Sequence, residues 1–331
     1  MNKKAVTYLI IISVVLLCLF VYFFDDISNN YFSKDNPKGE LIKVFLTFIA
    51  GIIALLVWHS SYRRAKATEK QLKIMEKGNI ESRFNNAVGH LGNENPTIVL
   101  GGIHVLHQIA VENENYTRVI HNLFCNYLRE NSTKLYPEKR SYSDSGRLVQ
   151  VSAVEGTPKC PIIIQTLIDY LFKEYNNKDS VYNGFDSDLS YSTIKNCDFE
   201  KAKIRRVNFN NCIFENCHFF ETILLECRFS ESILTKCHFS YSTLTECHFS
   251  YSTLTECHFC KTLTRCYFYQ SILTDCVFSG ILTECNFIAY IRGLKSAELI
   301  NCEFKTAELI DTVLPYPDKN KVKKSVFTKM T

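Results

Sequence analysis

The sequence predicts two architectures in one chain: a membrane-anchored α-helical part, then a coil built from short repeats. Three observations carry this. Two long apolar runs lie within the first sixty residues, a stretch with helical apolar spacing follows, and from about residue 189 to 309 a large apolar residue recurs every five positions. The 331 residues leave room for two domains and a membrane segment, while a net charge of +4 singles out no class of partner.

Residues 5–24, AVTYLIIISVVLLCLFVYFF, carry no charge and have the length needed to cross ~30 Å of hydrocarbon at about 1.5 Å per residue. A cleaved signal peptide fits less well, because the run is long and ends in Phe23-Phe24-Asp25-Asp26 without a small-residue cleavage site. Residues 41–58, LIKVFLTFIAGIIALLVW, form a second span. Lys43 lies near its start, where the stem reaches the interface, and Trp58 and Tyr62 stand where an aromatic belt belongs. Lys3 and Lys4 precede the first span, and Arg63, Arg64, Lys66, Lys70, Lys73 and Lys77 follow the second. The connector between the spans holds Asp25, Asp26, Asp35 and Glu40 against Lys34 and Lys38. This asymmetry places both termini in the cytoplasm. Residues 1–60 are thus expected to form a transmembrane hairpin of a multi-pass protein in a bacterial inner membrane, with membrane lipid as a partner.

Residues 61–180 read as an α-helical adaptor. Leu72, Ile74, Met75, Ile80, Phe84 and Val88 share one helix face over 61–91. The basic start of this helix suits either anionic lipid headgroups or, as mixed charge runs commonly do, plain solvent. Amphipathic helices follow at 98–110 and 116–130, a Ser- and Lys-rich surface loop at 131–157, and a third helix at 161–175 with Pro161 in its first turn. Gly101-Gly102 suits a close approach of two helices. His121 and Cys125, one turn apart, and the nearby His104 and His107 resemble a metal site, but packing accounts for histidines on helix faces. No nucleophile elbow, phosphate loop or zinc-protease motif is present.

The repeat is clearest at Cys237 to Glu246, CHFSYSTLTE, which Cys247 to Glu256 copy letter for letter. Each ten splits into two fives with an apolar centre, and two residues before each centre stands a small side chain. Of fifteen cysteines, twelve lie between Cys197 and Cys302, and eleven of these fill the small slot; Cys260 is off register. Such regularity reads as packed, reduced thiols in a reducing compartment. A period of five matches neither a helix nor a flat strand and suits a path that turns a corner every five residues.

Ser187-Asp188-Leu189, Cys197-Asp198-Phe199, Val207-Asn208-Phe209 and Cys285-Asn286-Phe287 resemble the unit of the pentapeptide-repeat family; elsewhere the Asp/Asn position holds His, Thr or Ile. The resemblance implies an all-β right-handed quadrilateral β-helix over 187–314, with four fives per coil and residues twenty apart stacked at ~4.8 Å. Phe199, Phe219, Phe239 and Phe259 then form one column and Phe209, Phe229 and Phe249 the opposite one. Leu234, Leu244 and Leu254 fill the faces between, and Cys227, Cys237, Cys247 and Cys257 occupy small slots that a larger residue would overpack. Slips from Phe259 to Leu263 and from Phe278 to Leu282 read as shortened corners, and two extra residues before Leu294 as a bulge. Roughly six coils are expected. The helices cap the first, and the basic tail 315–331 either lays Val326 and Phe327 over the last or frays.

His218, His238 and His258 fall in one outward column, the place for a metal or pH-sensitive site. Tandem copying explains them without function, since His248 has Arg228 as its neighbour, and no metal or cofactor is expected. Thr235, Thr245, Thr255, Thr264, Thr274 and Thr283 make outward columns that favour β structure; an ice-binding role is opposed by the cytoplasmic orientation. Soluble members of the family mimic DNA and bind gyrase, protecting it from quinolones. That needs a strongly negative rod, whereas residues 186–311 hold 16 acidic and 12 basic side chains. The resulting expectation is a non-enzymatic, membrane-anchored scaffold whose rod binds a cytoplasmic protein. DNA-mimicking binding of gyrase or topoisomerase is the alternative, and no direct nucleic-acid binding is expected.

Overall fold

The structure is a computed structural model that describes residues 19, 22, 37–135, 138–142, 148–153, 159–174, 179–292, 298–300, 303–306, 308–310, 322–323 and 326–329. It divides into two compact units, Met1–Asn79 and Ile80–Thr331.

Helix α1, Pro37–Leu91, is unbroken. The second expected span and the expected helix at 61–91 are therefore one element. The physical reason is local: no proline interrupts the chain after Pro37 until Pro96, and Gly92 and Asn93 supply the stop. Within the first unit α1 exposes Ile42, Val44, Leu46, Phe48, Ile53, Leu55 and Val57. Its most apolar window has a mean hydropathy of 2.1 and none of it is buried. By length and composition it is the one helix, among the described residues, able to cross a membrane. The first expected span, 5–24, lies outside the described residues apart from Leu19 and Tyr22, so a two-helix hairpin is not on view.

The second unit begins with the last turns of α1 and continues with α2 (Pro96–Glu112) and α3 (Glu114–Leu135). Asn95 starts α2 by accepting from Thr97 N–H, with proline at the first position. Gly102 permits the close helix approach: a Cβ there would sit 2.8 Å from Ala87 O and His90 Cβ, whereas Gly101 faces open space. Residues 131–157, expected to be a loop, include an antiparallel pair, β1 (Glu138–Tyr142) and β2 (Leu148–Ala153). Val149 and Val151 alternating with Gln150 and Ser152 give that segment a strand pattern. Helix α4, Ile162–Phe172, follows Pro161. Ile103, Leu106, Phe124, Leu128, Ile164 and Leu167 are fully buried and share one core with Leu189, Ile194 and Phe199 of the repeats.

From Ser187 the chain winds into a right-handed β-solenoid of about five turns rather than six. All rungs are parallel and in register. Leu224 pairs with Leu244, Leu244 with Leu263 and Leu263 with Leu282. The two shortened corners stack on each other, because Phe259 pairs with Phe278 as Leu263 pairs with Leu282. Gly280 is needed at the second, since a Cβ would lie 2.3 Å from Lys261 O. After Phe287 the next rung centre is Ile291, paired with Leu273 and Leu309, and not Leu294 as expected; residues 293–297 lie outside the described residues. Within the stretch read as a tail, Phe327 pairs with Phe304.

Apart from the shortened corners, the sides of the coil end in a left-handed residue. Eighteen described non-glycine residues have φ between 50° and 63°, and they fall two positions after the centres: Tyr191, Asn196, Lys201, Arg206, and so on to Glu284. Such conformations are costly for L-residues, by roughly 1 kcal/mol or more. Cooperation between coils holds them. The corner N–H donates to the following coil, as from Lys201 to Phe220 O at 2.8 Å, and so does the centre, as from Phe199 to His218 O at 2.7 Å. The residue before each centre donates backward, as His218 does to Cys197 O at 3.1 Å.

The first coil has nothing behind it, so Asp198 lacks both of those backward partners. Gln165 of α4 replaces them. Its Oε1 accepts from Asp198 N–H at 2.9 Å and its Nε2 donates to Asp198 O at 2.7 Å. One primary amide thus stands in for a missing peptide. Ser132 Oγ does the same for Thr193 N–H at 3.1 Å, and Arg129 pairs with Asp188 at 2.8 Å.

Gln165→Leu is expected to cost about 1–3 kcal/mol in chemical unfolding, because two backbone groups lose their partners. Glu231, at φ 59°, provides the corner test: Glu231→Gly is expected to be neutral or stabilising by up to about 1 kcal/mol, and Glu231→Val destabilising by about 1–2 kcal/mol.

Candidate interaction surface

Burial divides every five residues into an inner pair and an outer three. Phe199, Phe209, Phe219, Phe229, Phe239, Phe249, Leu234, Leu244, Leu254, Cys227, Cys237, Cys247 and Cys257 have no exposed surface, and Phe259 has 1%. Phe199, Phe219, Phe239, Phe259 and Phe278 stack with centroids 4.5–4.8 Å apart. Phe209, Phe229, Phe249, Phe268 and Phe287 stack at 4.6–5.0 Å. Phe214 enters an aliphatic face and meets Phe209 edge-on at 5.3 Å.

The small slot selects for more than size. Ser232 Oγ donates to Phe209 O at 2.7 Å and Thr222 Oγ1 to Phe199 O at 2.8 Å, each a centre carbonyl one coil back. Cys257 Sγ lies 3.4 Å from Leu234 O in the same relation. A small donor is what the site prefers, a preference visible in its run of Cys, Ser and Thr. The size limit is looser than expected, because Val207 occupies a slot and is buried.

Burial pushes the Cys237 and Cys247 thiols well above their usual range, so they are inert packing groups. Cys160 and Cys197 depart from the all-reduced expectation: they form a disulfide. Cys197 is the small slot of a coil with no predecessor, and Cys160 fills the vacant place from the start of α4.

Outside the coil, His218, His238 and His258 do form a column, in which His218 is exposed and the others half-buried. Ring centroids are 5.4 Å apart between His218 and His238, and 4.9 Å between His238 and His258. Burial, then the neighbouring His258 and His218, lower the His238 pKa. Among the described residues no three His, Cys, Asp or Glu side chains converge as metal ligands. The threonines form two ladders, Thr235–Thr255–Thr274 and Thr245–Thr264–Thr283, on different faces.

A shallow groove of about 490 Å³ follows one corner, lined among others by Asp188, Arg206, Glu226, Arg228, Glu246 and His248. Arg206 pairs with Asp186 at 2.8 Å, and Arg265 with Glu246 at 2.9 Å through Nε. Signs alternate along this corner, so no DNA-like negative field develops. Farther along the coils, Tyr251, Tyr267, Tyr269 and Ile272 are all exposed, and Tyr251 meets Tyr269 edge-on at 5.5 Å. Tyr241 is 62% exposed. The signal of this patch in the sequence is tyrosine at outward positions where polar residues usually stand, as at Tyr241 and its copy Tyr251.

In the helices, the four residues of the suspected metal grouping serve separate contacts. His104 Nδ1 lies 2.5 Å from Tyr170 Oη, and His107 Nδ1 lies 3.2 Å from Tyr182 Oη while stacking on Tyr170. His121 Nε2 meets Ser187 Oγ at 2.8 Å, with Cys125 Sγ at 3.6 Å. His121 ties α3 to the first coil at Ser187, while His104 and His107 tie α2 to Tyr170 of α4 and to Tyr182. Burial, with the charge of His104 second, lowers His107 to about 4. Burial also lowers His121 and raises Cys125 to about 12.

Residues 185–219, 212–250 and 222–259 match the family model described as pentapeptide repeats in eight copies. Among solved structures, a trypsin-treated variant of QnrB1, a plasmid-mediated fluoroquinolone resistance protein, is 16% identical over 44% of this chain and 76% of its own, with a TM-score of 0.22. HetL, a pentapeptide repeat protein involved in heterocyst differentiation regulation from the cyanobacterium Nostoc, is 15% identical over 37% of this chain and 69% of its own, with a TM-score of 0.19. At these scores neither overlay bears on function. No curated protein matches the chain.

His107 and His121 resist protonation in the folded state, so the unfolded chain binds more protons between about pH 4 and 6.5. Stability is expected to be full above that window and to fall as pH drops through it. Denaturation midpoints at pH 7.5, 6 and 4.5 check this; His107→Gln should flatten the slope.

Proposed function

From a chain whose residues 185–259 are pentapeptide repeats, we propose a membrane-anchored, non-enzymatic scaffold. Two N-terminal spans hold it in the membrane, the helices form an adaptor and end cap, and the solenoid presents a binding surface to a protein in the cytoplasm. The observation that carries this is the patch of Tyr251, Tyr267, Tyr269 and Ile272, exposed together on a hydrogen-bonded ladder. Tyrosine brings large contact area with few rotatable bonds, and a rigid backbone lowers the entropy cost of docking. Aromatic residues of this kind concentrate in the centres of protein interfaces.

Anchoring is supported by the apolar side chains that α1 exposes between Ile42 and Val57, a surface that water disfavours and lipid accepts. The non-enzymatic reading is supported by the roles of the reactive residue types: the thiols fill the core and the helix histidines fasten the cap. DNA mimicry has no comparable support, because Arg206, Arg228 and Arg265 interrupt the acidic corner.

A photo-crosslinking residue in place of Tyr269, in the full chain in membranes, is expected to yield one discrete protein adduct. Tyr251→Ser together with Tyr267→Ser should lower that yield about tenfold, the effect of losing ~1.4 kcal/mol of contact. Equal adducts from Tyr269 and from Thr264, which lies on another face, would sink the reading. For the topology, reporters fused at Asn30 and at the C-terminus should report outside and cytoplasm respectively; a cytoplasmic Asn30 overturns the hairpin.

A further inference from the structure

Just past its apolar stretch, α1 carries cations that spanning a membrane does not require. Arg63, Lys66, Lys70, Lys73 and Lys77 recur at alternating intervals of three and four residues, which sets them on one face of the helix. Arg64 stands about 100° from Arg63. All six are exposed. Lys73 is balanced by Glu69 at 2.9 Å. Arg63, Arg64, Lys66 and Lys70 make no ion pair and no side-chain hydrogen bond among the described residues.

Four uncompensated positive charges within eight residues repel one another, since like charges three and four apart weaken a helix. An external negative surface relieves this. Two features say where that surface lies. Trp58 and Tyr62 stack at 6.2 Å immediately before the cations, and both are more than half exposed, at 67% and 57%. Indole and phenol rings side by side at the end of an apolar run mark the headgroup level. From Arg63 to Lys70 the helix then rises only ~10 Å at 1.5 Å per residue, close to the ~8 Å screening length at physiological salt. The cations therefore stand within electrostatic reach of the phosphate layer.

We propose that Arg63, Arg64, Lys66 and Lys70 bind the anionic phospholipid headgroups of the leaflet from which α1 emerges, so that the anchor gathers negatively charged lipid around itself. This rests on the membrane reading of α1. The collar is one-sided: toward the other end of the apolar stretch, Lys38 and Lys43 are interspersed with Asp35 and Glu40.

Trp58 is the single tryptophan of the chain and reports on its lipid neighbours. The full chain is reconstituted in mixed phosphatidylcholine and phosphatidylglycerol vesicles, with acyl-chain bromine on one lipid or on the other at equal content. At low salt, brominated phosphatidylglycerol is expected to quench Trp58 about twofold or more over brominated phosphatidylcholine, since cations near the surface attract anionic lipid. The excess should vanish in about 0.5 M salt. It should also vanish when Arg63→Gln, Arg64→Gln, Lys66→Gln and Lys70→Gln are combined, a change that keeps helix propensity. Continued quenching of the variant by brominated phosphatidylcholine shows its anchor intact.

Equal quenching of the wild type by both lipids overturns the lipid proposal and leaves the anchor standing. Quenching by neither removes the anchor and the proposal together. An unchanged excess in the variant overturns the assignment to these cations. Loss of the excess on adding duplex DNA at equal phosphate overturns it in favour of a different polyanion.

Discussion

Everything in the rod depends on a backbone ladder that tolerates no mismatch between neighbouring coils. Corner and centre donate forward, and the residue before each centre donates backward, as Lys201, Phe199 and His218 illustrate. A buried peptide group without its partner costs about 1–3 kcal/mol, so a coil of different length would leave several orphans. The two shortened corners obey this constraint. They occur at Lys261 and Gly280, one directly over the other, and the second is glycine because the first leaves no room for a Cβ. The left-handed corners serve the same demand, since their N–H groups donate to the coil ahead.

A ladder with this much repetition has one weak place, its beginning. An open parallel edge invites pairing with another chain. Here the helices close it with side chains rather than another strand. Gln165 imitates a peptide, Ser132 supplies an acceptor, and His121 meets the hydroxyl of Ser187. His107 and His121, which resist protonation in the folded state, make this closure sensitive to acid.

What could be read from the sequence was whatever the interior enforces. One inward centre per five residues is a strong signal, and the Phe columns, the cysteine slots and both shortened corners follow from it. The left-handed backbone at the corners was hidden, because Glu, Lys and Tyr hold most of those positions and only Asn196, Asn211, Asn216 and Asp275 are of types that favour a positive φ. Gln165 was equally hidden: its role depends on a contact with Asp198, thirty-three positions away. The Cys160–Cys197 disulfide was misread because the regular cysteines set the expectation for an irregular one. Ile291 was missed as a rung centre because a further short corner precedes it. The tyrosine patch was least legible, since outward positions answer to no packing rule and any residue type is compatible with the coil.

The duplicated decapeptide has a consequence for dimension. Two tens make one complete coil, so copying twenty residues adds one rise of ~4.8 Å and presents the same four sides again. Length in such a protein is counted in whole steps, like marks on a ruler. A recombination event within Cys237 to Glu256 would move the tyrosine patch one step farther from the capped end or one step nearer, while leaving the chemistry of both untouched. Rod length can then vary between relatives independently of the surface the rod carries.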